Sequence, residues 1–271
     1  MNTIIFPLLV LALIFGIIYI FLVRKKKPHF FEPLSHSSRL LLENEVLYYN
    51  QLDDANKKVF EERMQLFLSK TRITGVNSIV EEIDKLLIGA SAIIPIFGFP
   101  GWEYTNLNEV LLYPDAFNES FHQQGEDRNT LGLVGTGAFQ NIMILSKQQL
   151  REGYRNRESR SNTGIHEFVH LVDKADGEVN GVPEGILSRK FTLSWYNLMQ
   201  FEIKQILESN SDINPYGATN EGEFFAVVAE YFFKQPDLLE TNHPELYNMM
   251  VTIFRQQPNR RPGKIIGTNS E

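Results

Sequence analysis

Residues 166–170 read His-Glu-Phe-Val-His. On a helix, residues four apart lie on one face with Cβ atoms about 5–6 Å apart, so the imidazoles of His166 and His170 can share one ion. Glu167 is turned about a third of a turn from His166, which aims its carboxylate at a water on that ion rather than at the ion itself. That is the position of a general base. The surrounding Ile165, Phe168, Val169, Leu171 and Val172 make the helix largely apolar, as a core helix must be, and Ser161 or Thr163 can cap it. A chance HExxH on an exposed helix would lack this surround. The chemistry implied is metal-assisted hydrolysis of a peptide or protein substrate, with one Zn2+ per chain polarising the carbonyl and Glu167 moving the proton.

A catalytic zinc site takes three protein ligands and leaves one position open, so a third side chain must come from elsewhere. The sequence has no cysteine, which removes thiolates and leaves histidines and carboxylates. The metzincin pattern would need Gly at 173 and His at 176, and both positions are Asp. Asp176 stays as one candidate. Glu223 is the better one: it opens the apolar segment FFAVVAEYFF, so its carboxylate sits at the edge of a core, where it wants a cation. Asn220 and Glu223 also have capping-box spacing, and Glu223 could instead return to the N-cap amide. Asp173, one residue short of two turns after His166, can accept from a ligand histidine's second nitrogen, with a plain salt bridge as its rival. Glu230, two turns after Glu223, is either a similar support or polar punctuation.

HEFVHLVDKADGEVNGVPE followed by NPYGATNEGEFFAVVAEYFF resembles the MtfA family of zinc peptidases, and LLYPDAF and NIMILS resemble that family's preceding strand motifs. The likeness runs over roughly residues 50 to 258. The second block is also similar to the catalytic domain of anthrax lethal factor, which implies a zincin-like, gluzincin fold. The resemblance implies His166, His170 and Glu223 as ligands and Glu167 as base. It further implies that Tyr216, seven residues before Glu223, faces the reacting carbonyl; without it, Tyr216 would be a residue in a PYG turn. It also implies aminopeptidase-type activity and, as a second kind of function, sequestration of a cytoplasmic regulatory protein.

The elements that must position these residues point to an α+β fold. Asp53 or Asp54 can cap an amphipathic helix through Ser69. Ser78 and Glu81 have capping-box spacing ahead of a second helix, whose buried stripe would be Ile79, Ile83, Leu86, Leu87 and Ala90. Glu109–Tyr113 and Asn141–Leu145 read as short strands of a small mixed sheet, and the second could be an edge beside which an extended substrate lies. Between them LGLVGTGAF spells G-x-x-G-x-G with no helix after it, so Gly132, Gly135 and Gly137 are turn residues rather than a dinucleotide fingerprint. Helices are expected at about 191–208, 220–233 and 244–255, with a flexible tail over 259–271.

Thr3 to Val23 carry no charge and are mostly Ile, Leu, Val and Phe, enough at about 1.5 Å per residue to cross a ~30 Å hydrocarbon layer. Arg24, Lys25, Lys26 and Lys27 follow the apolar run, where a cleavable signal peptide would place small residues. The expectation is an uncleaved transmembrane helix within residues 1–23, in contact with the lipid bilayer through residues 3–23. A juxtamembrane tether over 24–50 would follow, then a peptidase domain over 51–258 on the cytoplasmic side. With 22% charged residues and a net charge of −7, the rest is globular in composition and offers no basic face, so nucleic acid is not an expected ligand.

Overall fold

The computed structural model of the chain describes residues 33–115, 132–134 and 141–260. The expected span at residues 3–23, the basic run behind it, Gly135, Gly137 and residues 261–271 of the tail lie outside the described residues. Among the described residues no helix is long and apolar enough to cross a membrane.

The folded body begins ahead of the boundary expected at residue 51. Ser35 caps helix α1 (His36–Glu45), and a single turn, α2 (Leu47–Asn50), follows it. Leu42 and Tyr49 on these two elements, and Val46 between them, are buried in the main core. The helix α3 (Asp54–Lys70) starts where Asp53 accepts from the Asn56 N–H at 2.8 Å, as the sequence predicts. At the other end Asn259 is held by Asp237 and Glu240 at 3.0 and 2.8 Å, so the body runs past residue 258.

Strand β1 (Arg72–Gly75) leads to α4 (Glu82–Ile96), whose start differs from the expected one at Ser78. Asp84 accepts from the Glu81 N–H at 2.8 Å and so acts as the cap partner, while Ile79 is 82% exposed rather than part of a buried stripe. The cause is a charge cluster from a distant segment. Lys147 and Arg151 both reach Glu81 and Asp84, and they anchor these two acids at the helix start. At the far end Arg63 donates to the carbonyls of Ile96 and Phe97 at 2.8 and 3.0 Å, satisfying groups that the helix leaves open.

The sheet contains β1, β2 (Glu109–Tyr113), β3 (Gly132–Val134) and β4 (Ile142–Ser146) in the order β1-β2-β4-β3. β1, β2 and β4 are parallel, and β3 runs antiparallel to β4. The NIMIL segment is therefore an interior strand, not the edge expected from the sequence. β2 pairs with one side of it and β3 with the other, and the edge position falls to β3, which packs against the helix bearing His166. A strand's own residues do not say which neighbours will pair with it.

Helix α5 (Lys147–Arg155) leaves β4 directly. Beyond it come α6 (Thr163–Asp173), α7 (Arg189–Leu207), α8 (Glu221–Lys234), α9 (Pro236–Asn242) and α10 (Pro244–Phe254). α6 lies between α4 and α8. Phe168 is fully buried, with the rings of Phe67 and Tyr104 meeting it at 5.5 and 5.2 Å. Every residue of α8 from Phe224 to Phe233 is buried, which is why that segment shows no polar stripe.

α4 and α6 approach so closely that a Cβ on Gly164 would lie 2.2 Å from Ser91 Oγ and 2.9 Å from Leu150 Cδ1. Gly164→Ala is therefore expected to destabilise the fold by ~1–3 kcal/mol through overpacking. Urea denaturation measures this, and an unchanged midpoint would contradict the close packing of α6.

Candidate metal centre

The start of α6 is set by Asn162, not by the flanking Ser161 or Thr163. Its side chain accepts from the Ile165 N–H at 3.0 Å, and its own N–H donates to Glu230 of α8 at 2.5 Å. Glu230 also meets His166 Nδ1 at 2.7 Å. One carboxylate thus holds both the helix start and the imidazole, and it puts the proton on Nδ1. Nε2 of His166 then faces inward, where the neutral imidazole presents its lone pair.

Two more donors converge there. His170 Nε2 lies 3.1 Å from His166 Nε2, and Glu223 Oε2 lies 3.0 Å from His166 Nε2 and 3.4 Å from His170 Nε2. Glu223 does sit in the first turn of α8, and Asn220 accepts from its N–H at 2.9 Å, but its carboxylate turns to the histidines instead of returning to the cap. The cap and the candidate ligand coexist because one uses the backbone of Glu223 and the other its side chain.

Glu167 is 5% exposed on the same helix. Burial raises its pKa, with His166 and His170 opposing the shift. Tyr216 lies on a 3₁₀ turn, Pro215–Ala218, begun by Asn214, whose side chain accepts from the Tyr216 N–H at 3.0 Å. That turn packs on α8, and the Tyr216 ring centroid is 6.1 Å from that of His166. Burial, then the nearby Glu223 and Glu167, raise the phenol's pKa, so it keeps its proton and can donate. At 53% exposure it borders solvent.

Comparison with known proteins gives the family. The glucose-regulated metallo-peptidase M90 family matches residues 22–255. The chain belongs to that family, which is the MtfA family of the sequence resemblance. An uncharacterized protein of Synechocystis is 32% identical to this M90 chain over 92% of its length and 97% of the relative's. Mlc titration factor A of Pectobacterium atrosepticum is 27% identical over 76% of the chain and 81% of its own length. The Mlc titration factor A of Yersinia pestis is 32% identical over 56% and 59%.

Family membership implies a metal, and the residues of this M90 chain fit one. A divalent ion bound tetrahedrally at about 2.0–2.1 Å needs donors roughly 3.3–3.4 Å apart, close to the 3.0–3.4 Å between the three atoms here. Lone pairs and a carboxylate facing one another at such distances repel unless a cation or protons lie between them. The charges around the cluster act in the same sense. Burial alone would lower the pKa of His166, yet Glu230 and Glu223 drive it well above the ordinary range. Burial likewise raises Glu223, and the two histidines more than reverse it.

The remaining candidates fall elsewhere. Asp173 accepts from the Gly181 N–H at 2.8 Å, and neither its Oδ1 nor His170 Nδ1 has a hydrogen-bond partner among the described residues. It does not bond a histidine directly, as the helical spacing suggested it could. The loop after α6 captures it first, because Gly181, at φ +73°, turns its N–H inward. Burial pushes the Asp173 carboxyl up to about 7, with that N–H opposing. Asp176 accepts from the N–H groups of Glu178 and Glu184 at 3.1 and 3.2 Å and is not in the donor cluster. The contact to a histidine's second nitrogen is made by Glu230 instead. The roles of Asn162 and Glu230 depend on α8 crossing α6, and the only sequence hint is the two-turn spacing of Glu223 and Glu230.

Removing the support should weaken the metal before it harms the fold. Glu230→Ala is expected to lower metal affinity by roughly 10–100-fold, and Glu223→Ala by more, as read by chelator competition with elemental analysis. Full occupancy in Glu223→Ala would remove that residue from the ligand set.

Proposed function

We propose that the chain is a zinc-dependent peptidase in which His166, His170 and Glu223 hold the ion, Glu167 is the proton-transfer group and Tyr216 faces the scissile carbonyl. The observation that carries this reading is the convergence of three metal-type donors, 3.0–3.4 Å apart, on a half-buried patch beside an acid with a raised pKa. Family membership supports the peptidase class.

A zinc ion held there would supply Lewis-acid polarisation of the carbonyl and acidify the attacking water. Glu167 takes one proton from that water as its oxygen bonds to the carbonyl carbon. As the C–N bond breaks, Glu167 returns the proton to the leaving amine. Tyr216 Oη donates to the carbonyl oxygen as it gains charge, a contact worth most where water is excluded. Glu230 keeps the His166 proton on Nδ1 throughout, so that Nε2 faces inward as a lone pair. An extended substrate would gain main-chain hydrogen bonds from the outer side of β3, the sheet edge next to α6. The family resemblance supports action on short or unfolded peptides in the aminopeptidase manner.

A second reading is favoured by the relatives named titration factor. In it the chain binds and sequesters a cytoplasmic regulatory protein, with hydrolysis secondary. In either reading, residues 3–23 would tether the domain to the cytoplasmic face of a bilayer, a proposal that rests on the apolar run and the basic residues 24–27 behind it.

Glu167→Gln separates these readings. It is expected to reduce peptide-library cleavage by at least ~10²-fold, the scale of lost general-base catalysis, while metal content and thermal stability stay at wild-type values. A Glu167→Gln protein that still cleaves peptides would sink the mechanism. A regulator captured equally by mutant and wild type would favour sequestration.

A further inference from the structure

Asp212 lies four residues ahead of Tyr216, in the segment between α7 and the Pro215–Ala218 turn. Its carboxylate gathers four donors from three directions: Tyr231 Oη at 2.9 Å, Asn242 Nδ2 at 2.6 Å, His243 Nε2 at 2.7 Å and Arg160 Nη2 at 3.0 Å. Arg160 also donates to the Asp212 carbonyl and lies 4.8 Å over the Tyr231 ring. Two of these partners adjoin residues of the metal centre along the chain. Tyr231 follows Glu230, and Arg160 precedes the cap Asn162 by two residues. Next along the segment, Ile213 is buried in the core.

His243 carries the link onward. Its Nδ1 faces Glu202 Oε2 of α7 at 3.3 Å, on the side away from Asp212. A neutral imidazole has one N–H, and only the imidazolium can donate to carboxylates on both sides. The charged and titratable groups facing it are Glu202 from α7, Asp212 from the loop and Tyr231 from α8, whose ring is 6.5 Å away; Arg160 acts through Asp212. The bond to Glu202, then that to Asp212, outweigh burial and raise the His243 pKa above its usual value of 6.5. Its contribution is therefore complete below the unfolded-state pKa and is lost as pH rises through the folded-state one.

We propose that Asp212 and the imidazolium of His243 are positioning residues that hold the Tyr216 turn in register with the metal centre, and that loss of the His243 proton loosens that turn. The catalytic consequence rests on the reading of Tyr216 given above; the tether itself does not. Asp212 touches no reacting atom and acts only through the turn it anchors.

Hydrogen exchange on the full chain tests the tether without reference to activity. The turn has two reporters, the Gly217 N–H donating to Asn214 O at 2.9 Å and the Thr219 N–H donating to Tyr216 O at 3.1 Å. In Asp212→Asn, protection at these amides should fall roughly tenfold or more, toward the level of a locally opened segment, while α6 and α8 amides and metal content stay unchanged. His243→Gln, which keeps one donor at this position, should give the same local loss if Asp212→Asn does not fold. In wild type, protection of the turn corrected for intrinsic exchange should decline at alkaline pH, and His243→Gln should abolish that pH dependence. For peptide hydrolysis, Asp212→Asn should lower kcat by roughly 10–100-fold with KM within about twofold. Adding Tyr216→Phe to it should cost little more. Wild-type turn protection in both folded variants would overturn the proposal. Loss of protection with no effect of Tyr216→Phe on hydrolysis would keep the tether and remove Tyr216 from the mechanism. A wild-type chain that cleaves nothing would refute the peptidase reading and leave the exchange result to decide the tether.

Discussion

The imidazole of His166 is held between two carboxylates of one helix. Glu230 takes the Nδ1 side at 2.7 Å and Glu223 faces Nε2 at 3.0 Å, both from α8, two turns apart. Much of the centre depends on this clasp. It favours the tautomer protonated at Nδ1, turns Nε2 toward His170, and binds α6 to α8. Because Glu230 also accepts from the Asn162 N–H, the first turn of α6 and the orientation of its first candidate ligand are set by the same group.

Such a clasp is tolerable only in a rigid setting. A carboxylate in an apolar interior is costly unless each of its oxygens is engaged, and Glu230 has one oxygen on His166 and the other on Asn162. The apolar layer supplies the rigidity. Phe168 on the back of α6 meets Phe67 and Tyr104, and Phe225 of α8 stacks on Phe254 of α10 at 5.6 Å. The side of α6 that bears His166 and His170 is polar and the opposite side carries Phe168 into the core, so the helix cannot rotate without exposing Phe168.

The charge clusters elsewhere do related work on the chain's path. Lys147 and Arg151 bring the start of α4 to α5, and α4 then lies against α6 at Gly164. Asp173 ties the end of α6 to Gly181, whose close approach to Glu221 brings the following loop to the start of α8. The Lys147 and Arg151 contacts join segments nearly seventy residues apart, whereas the Asp173 contact closes the short loop behind α6.

What the sequence determined by itself was local. The His-Glu-x-x-His spacing, the amphipathic pattern after Asp53, the strand runs at 109–113 and 141–145, and the buried character of 224–233 all follow from periodicity and side-chain type, and periodicity is a property of neighbouring residues. The family resemblance added Tyr216 and strengthened Glu223. Tertiary structure decided the rest. It moved the α4 start from Ser78 to Glu82 through cations nearly seventy residues away, put β4 inside the sheet, and packed residues 36–50 into the core. It also gave the support of His166 to Glu230 and drew Asp173 to Gly181. The physical reason is common to all of these. A carboxylate or a strand edge has no partner until another element arrives, and a single line of residues does not encode which element that will be.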